Sequence, residues 1–295
     1  MAPSVSEPAA AAEAHSRTRL PQELVDLIID FVCDDKKTLH ACTVTARYWL
    51  PSSRLHLFAN VQVSEQRFTD FLAFAQTCTC GPQYIVDLKF NGHQPQQQMD
   101  NRSAITPAYL HTLLACLPRL EYLLLFMTRF RDSEENELSP PTSLSERPVS
   151  SMSTLKSLKI YYSGAHDDRF IHLAHVLSTF RSIDRLHLRF QSFCSNHGPD
   201  AVERELSGTP IGDIMSLPVV QALVVDDNAF RTNLYLLVAA KSRSFDTLRT
   251  LEVQSRRLWD HRALGLVLRR AGMQLEHLSL QISGLSEPDG TCRRC

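Results

Sequence analysis

The sequence predicts an α/β protein: a three-helix piece at the front, then irregular strand–helix repeats whose strands form a curved parallel sheet. Three observations predict it. Residues 17–62 carry only helical apolar spacing, one short apolar template recurs from Val86 onward, and between its copies the apolar period changes from two to three-and-four. The expected divisions are a disordered leader over 1–16, the helical piece over 17–62, the repeat domain over 63–285 and a flexible tail over 286–295.

The helical piece opens at Leu20-Pro21-Gln22-Glu23, where a proline suits a first helical turn and an acid suits the positive end of the helix dipole. Leu24, Leu27, Ile28 and Phe31 follow at i, i+3, i+4 and i+7, one apolar stripe. Asp34-Asp35-Lys36-Lys37 breaks the pattern. A second helix is expected over Thr38–Arg47, with Leu39, Cys42 and Ala46 at near-helical spacing, and a third from Trp49-Leu50-Pro51 to Leu57-Phe58. So small a piece buries too little surface to be strongly stable alone.

The order of residues in this piece resembles the F-box, in the form common in mushroom-type fungi. The landmarks are Leu20-Pro21-x-Glu23-Leu24, Ile28-Ile29, Leu39-x-x-Cys42, Arg47-x-Trp49-Leu50-Pro51, and Ser53-Arg54 followed by Leu57-Phe58. Ala46 and Val44 depart mildly from the usual pattern. The resemblance implies docking on the Skp-family adaptor and, through it, on a cullin scaffold in an SCF ubiquitin ligase. Leu20, Pro21, Leu24, Ile28, Leu39, Cys42, Val44, Trp49 and Leu50 would then supply an apolar face for a helix-in-groove contact. The alternative is that they form only a helical cap for the domain behind.

That domain repeats one template seven times. Leu120-Glu121-Tyr122-Leu123-Leu124-Leu125 and Leu275-Glu276-His277-Leu278-Ser279-Leu280 typify its apolar-x-x-apolar-x-apolar pattern, and the central apolar residues stand at 88, 123, 158, 186, 223, 251 and 278. The final alternation suits a strand with one buried face. Helical spacing intervenes at Tyr109–Leu117, Phe170–Leu177, Leu234–Ala240 and Leu264–Ala271. A unit of strand plus helix buries its apolar face only on its neighbours, so such units stack into a solenoid. This half resembles leucine-rich repeats of the long, helix-containing kind; the asparagine usual after the template occurs only at Asn228. A mixed α/β domain without a true solenoid is the competing reading. Gln94–Ser103 and the acidic, proline- and serine-bearing Arg131–Met152 show neither period and read as loops.

Composition limits the function. Apolar residues make up 43% and charged residues 21% of 295, a globular balance, and 31 Lys plus Arg against 32 Asp plus Glu give a net charge of −1 with no global pull towards nucleic acid or anionic lipid. The first fifteen residues carry no basic n-region followed by a large apolar block, and the longest apolar runs, such as Leu120–Met127, fall far short of the roughly twenty residues of a membrane span. A cytoplasmic or nuclear protein without membrane or nucleic-acid partners is expected, its eight scattered cysteines reduced. No GxGxxG, Walker lysine loop, GxSxG or HExxH occurs. Cys78-x-Cys80 with Cys292-x-x-Cys295 makes a poor zinc set, and His166-Asp167-Asp168 with His172 and His175 reads as helix surface; no metal and no cofactor are expected.

Between Lys241 and Arg270 the local net charge is +5, and Arg249, Arg256 and Arg257 are the candidates for contacting an acidic or phosphorylated target, against an ordinary solvated helix face. The expectation is therefore a non-catalytic subunit: a substrate-recognition adaptor of an SCF-type ligase, its front piece on the Skp-family adaptor and its repeats on an unidentified protein target. The alternatives are a leucine-rich-repeat scaffold without a ligase role and a cryptic enzyme using the histidines.

Overall fold

The computed structural model describes residues 20–92, 105–128, 130, 153–164, 170–192, 217–226, 243–255 and 261–282. The leader, both long loops, the helix expected over Leu234–Ala240, Asn228, Arg256, Arg257, His166 and the terminal cysteine pair lie outside these residues. The chain divides into two compact units, Met1–Leu57 and Phe58–Cys295, ahead of the division expected at 62/63.

In the first unit, α1 (Gln22–Phe31) begins directly after Pro21 with Glu23 in its first turn. Residues 34–37, which break the apolar period, are the cap of α2 (Lys36–Thr45): the Asp35 carboxylate accepts from the backbone N–H groups of Lys37 and Thr38 at 3.0 and 3.2 Å and from the Thr38 hydroxyl at 2.6 Å. Those bonds satisfy donors that a helix start otherwise leaves open. A 3-10 turn over Arg47–Trp49 leads into α3 (Leu50–Ala59). The core is small: Val25 and Ile29 of α1 meet Leu39 and Cys42 of α2, with Val32, Tyr48, Trp49 and Leu57 packed around them. Polar bonds join α1 to α3: the Ser52 hydroxyl donates to Asp26, and His56 Nε2 lies 2.7 Å from Asp30 Oδ1.

The second unit is an eight-stranded sheet, all parallel, with the strands in chain order. They are β1 (Asn60–Ser64), β2 (Asp87–Asn91), β3 (Tyr122–Phe126), β4 (Ser153–Gly164), β5 (Phe180–Ser192), β6 (Val219–Asp226), β7 (Thr250–Ser255) and β8 (His277–Ile282). The seven central template residues share a single register: Leu88, Leu123, Leu158, Leu186, Leu223, Leu251 and Leu278 follow one another across the sheet, preceded on β1 by Val61. Two residues on, Val63, Phe90, Leu125, Ile160, Leu188, Val225, Val253 and Leu280 form the next row. A slip of one residue would turn these side chains to the other face, so burial pins the register.

Helices α4 (Phe68–Thr77), α5 (Pro107–Cys116), α6 (Phe170–Leu177) and α7 (His261–Ala271) connect strands and close over that leucine face. Phe68 and Phe71 of α4 meet Phe90 edge-on, with ring centroids 4.7 and 6.1 Å apart. Burying each such ring stabilises by about 1.5–3 kcal/mol. Tyr109 of α5 donates from its hydroxyl to the Phe68 carbonyl at 2.7 Å, and burial pushes that phenol well above its ordinary pKa. Thr106 caps α5 by accepting from Tyr109 N at 3.1 Å, with Pro107 in the first turn.

Candidate functional site: an exposed apolar group on the first unit

Helix α1 has two apolar rows, and only one is used inside the protein. Val25 and Ile29, four residues apart, are fully buried. The stripe that spacing picks out, Leu24, Leu27, Ile28 and Phe31, faces outward: Leu24 is 46% exposed, Leu27 65% and Phe31 91%. Leu20 before the helix and Val44 near the end of α2, 75% exposed, are also outside. These are six large apolar side chains on a unit whose own core holds four buried residues among those described. Leu24, Leu27, Ile28 and Phe31 share one face of α1, and apolar exposure on one face is a feature of surfaces that contact other molecules.

The residues expected to dock divide accordingly. Leu20, Pro21, Leu24, Ile28 and Val44 are exposed. Leu39 and Cys42, 0% and 7% exposed, are in the core of the unit, which accounts for their apolar character without a partner. Trp49 and Leu50 are half-buried, and the Trp49 indole N–H has no hydrogen-bond partner among the described residues. Leu27 and Phe31 belong to the stripe but not to the expected contact set, yet they are the most exposed apolar members of α1; their i+3 and i+7 positions are the available signal.

The polar groups on α1 serve the fold. The Ser52 hydroxyl, then the Gln22 amide at 2.7 Å, hold the Asp26 carboxyl below the usual range. The Thr38 hydroxyl and backbone do the same for Asp35. Both acids are thereby engaged, and the outward group offers apolar area with no reactive side chain among its six members.

On the second unit, the amino-terminal ends of the strands carry paired polar residues. Lys156 Nζ lies 2.9 Å from Glu121, whose carboxylate keeps the ammonium above its usual range. Gln221 donates to Asp184 at 3.3 Å, and Arg249 lies 3.4 Å from Glu276. Such pairs link neighbouring repeats at the surface, where solvent screens them. Arg249, expected to meet a target, is engaged in this ladder. Glu121, Lys156, Asp184 and Arg119 also line a shallow cleft of about 460 Å³. Among the described residues no group of three His, Cys, Asp or Glu side chains gathers as metal ligands would, and no helix is long and apolar enough to cross a membrane. No protein-family model matches the chain, and no curated protein sequence matches it.

Proposed function

We propose that the protein is a substrate-recognition adaptor of an SCF-type ubiquitin ligase, in which the first unit is an F-box docking on a Skp-family adaptor and the second is a leucine-rich-repeat-like solenoid holding a protein target. The observation that carries this reading is the outward apolar group, Leu20, Leu24, Leu27, Ile28, Phe31 and Val44. A unit built only for its own stability would turn the longest apolar stripe of α1 inward, whereas here the shorter Val25 and Ile29 pair is inside. The F-box resemblance of residues 20–58 names a partner with an apolar groove for such a stripe, and parallel strands in chain order with helices on one face support the repeat reading. The protein would contribute proximity and no bond chemistry, raising the effective concentration of target lysines near the ubiquitin-charged enzyme.

The test is coexpression of the full chain with a Skp-family adaptor, followed by size-exclusion chromatography beside a Leu24→Asp/Phe31→Asp variant. A one-to-one complex that the variant loses supports the proposal. A folded wild-type chain that elutes alone removes the ligase assignment.

A further inference from the structure

The face of the sheet opposite the leucine rows is not uniform. Across β3, β4 and β5 its register rows read Tyr122, Ser157, Arg185; then Leu124, Lys159, His187; then Phe126, Tyr161, Arg189. Tyr122 and Phe126 are 42% and 38% exposed, although both are large rings. Phe126 meets Tyr161 edge-on at 6.1 Å, Tyr161 meets His187 at 5.2 Å, and the Arg189 guanidinium carbon is 6.0 Å from the Tyr161 ring centre. His187 is fixed from the far side by Asp226 at 2.7 Å. These contacts fix the Phe126, Tyr161 and His187 rings before any partner arrives, which lowers the ordering cost of binding.

The cations on this face differ in how they are used. Arg185 is matched by Glu252 at 3.3 Å. Lys159 and Arg189 are exposed, and neither has a carboxylate within ion-pair distance among the described residues. They stand on neighbouring strands one row apart, so their backbone positions are roughly 8 Å from each other by strand spacing and rise. Alternate residues of an extended chain are about 7 Å apart, which the reach of both long side chains covers.

We infer that this face of β3 to β5 docks an extended acidic segment of a partner protein, with carboxylates on Lys159 and Arg189 and apolar side chains against Tyr122 and Phe126. The occupant is argued from charge complementarity: two unmatched cations beside exposed rings select an acid with an apolar neighbour. In the ligase reading this is where the target lies, so the inference rests on the target-binding half of that reading and moves the contact away from Arg249.

The probe is a fluorescein-labelled Glu-Ser-Glu-Ser-Leu-Ser-Leu peptide, titrated by anisotropy into the full chain at low salt, beside its Gln-for-Glu counterpart. Saturable binding is expected, weakened at least about fivefold by 0.3 M salt as ionic contacts are screened. Lys159→Ala/Arg189→Ala should cost about tenfold or more and Phe126→Ala about threefold, whereas Arg249→Ala should leave binding unchanged. All these positions are exposed, so an unchanged thermal midpoint separates lost contact from lost fold. Failure of the wild type to bind, equal binding of the Gln peptide, or a Lys159→Ala/Arg189→Ala variant that binds normally overturns the inference. So does binding that emerges only when Asp132, Glu134, Glu135 and Glu137 are replaced, since the face would then belong to the chain's own acidic segment. Peptide binding that persists while adaptor capture fails would remove the ligase assignment and leave this surface standing.

Discussion

Ile29 and Phe31 are two residues apart on one helix and have opposite roles. Ile29 is fully buried against Leu39 and Cys42, so Ile29→Ala should destabilise the first unit by about 2–5 kcal/mol, read by denaturant unfolding. Phe31, 91% exposed, should change stability by less than about 0.5 kcal/mol when replaced by alanine. Its loss should instead weaken adaptor capture. Gly92 is a third residue with a single physical reason. A Cβ there would lie 2.0 Å from the Met127 carbonyl oxygen, and Met127 itself holds a left-handed φ of 53° at the end of β3. Because backbone must move to admit a methyl group, Gly92→Ala should cost about 1–3 kcal/mol in the second unit, measured by thermal unfolding.

At the scale of elements, the strands were legible and one face of α1 was not. The Leu-x-x-Leu-x-Leu spacing reports a strand with one buried face, and the register places all seven central leucines in one row. Ile85, fully buried, opens the first copy of the template as Ile85-x-x-Leu88-x-Phe90. β1 is hard to read because Val61-Gln62-Val63 is too short to stand out, and α4 because Phe68, Phe71 and Ala75 replace the leucines that mark the other helices. On α1, Leu24 with Ile28 and Val25 with Ile29 share the same four-residue spacing. Sequence alone cannot choose which pair is inside, since the choice is made by Leu39 and Cys42 of α2. Two carboxylates of the first unit add a pH dependence. Asp26 and Asp35 are more acidic in the folded chain than unfolded, so each stabilises fully above the ordinary aspartate value near 4 and loses that contribution as pH falls through its lowered folded value. Acid titration followed by circular dichroism should show the first unit losing helix below about pH 4, and Asp26→Asn/Asp35→Asn should flatten that loss.

On the scale of the whole molecule, the two units present different chemistry. The first presents apolar area on α1 and α2, and the second presents exposed rings on β3 to β5 beside two cations that have no carboxylate partner among the described residues. A target holder needs both properties, one surface for the machinery and one for the cargo. A count of charges along the chain does not reveal that Arg249 lies 3.4 Å from Glu276 in the neighbouring repeat. Pairing is a property of the register, and the register exists only once the strands are side by side.

On the proposed function, the outward stripe of α1 is a docking face. It is tested most directly by calorimetric titration of the purified chain with a Skp-family adaptor, wild type against a Leu24→Asp/Phe31→Asp variant of matched thermal midpoint. One-to-one binding with a negative heat-capacity change is expected, as apolar burial requires, with a loss of about a hundredfold or more in the variant. A folded wild-type chain that takes up no adaptor, or a variant that binds as tightly as the wild type, would contradict it.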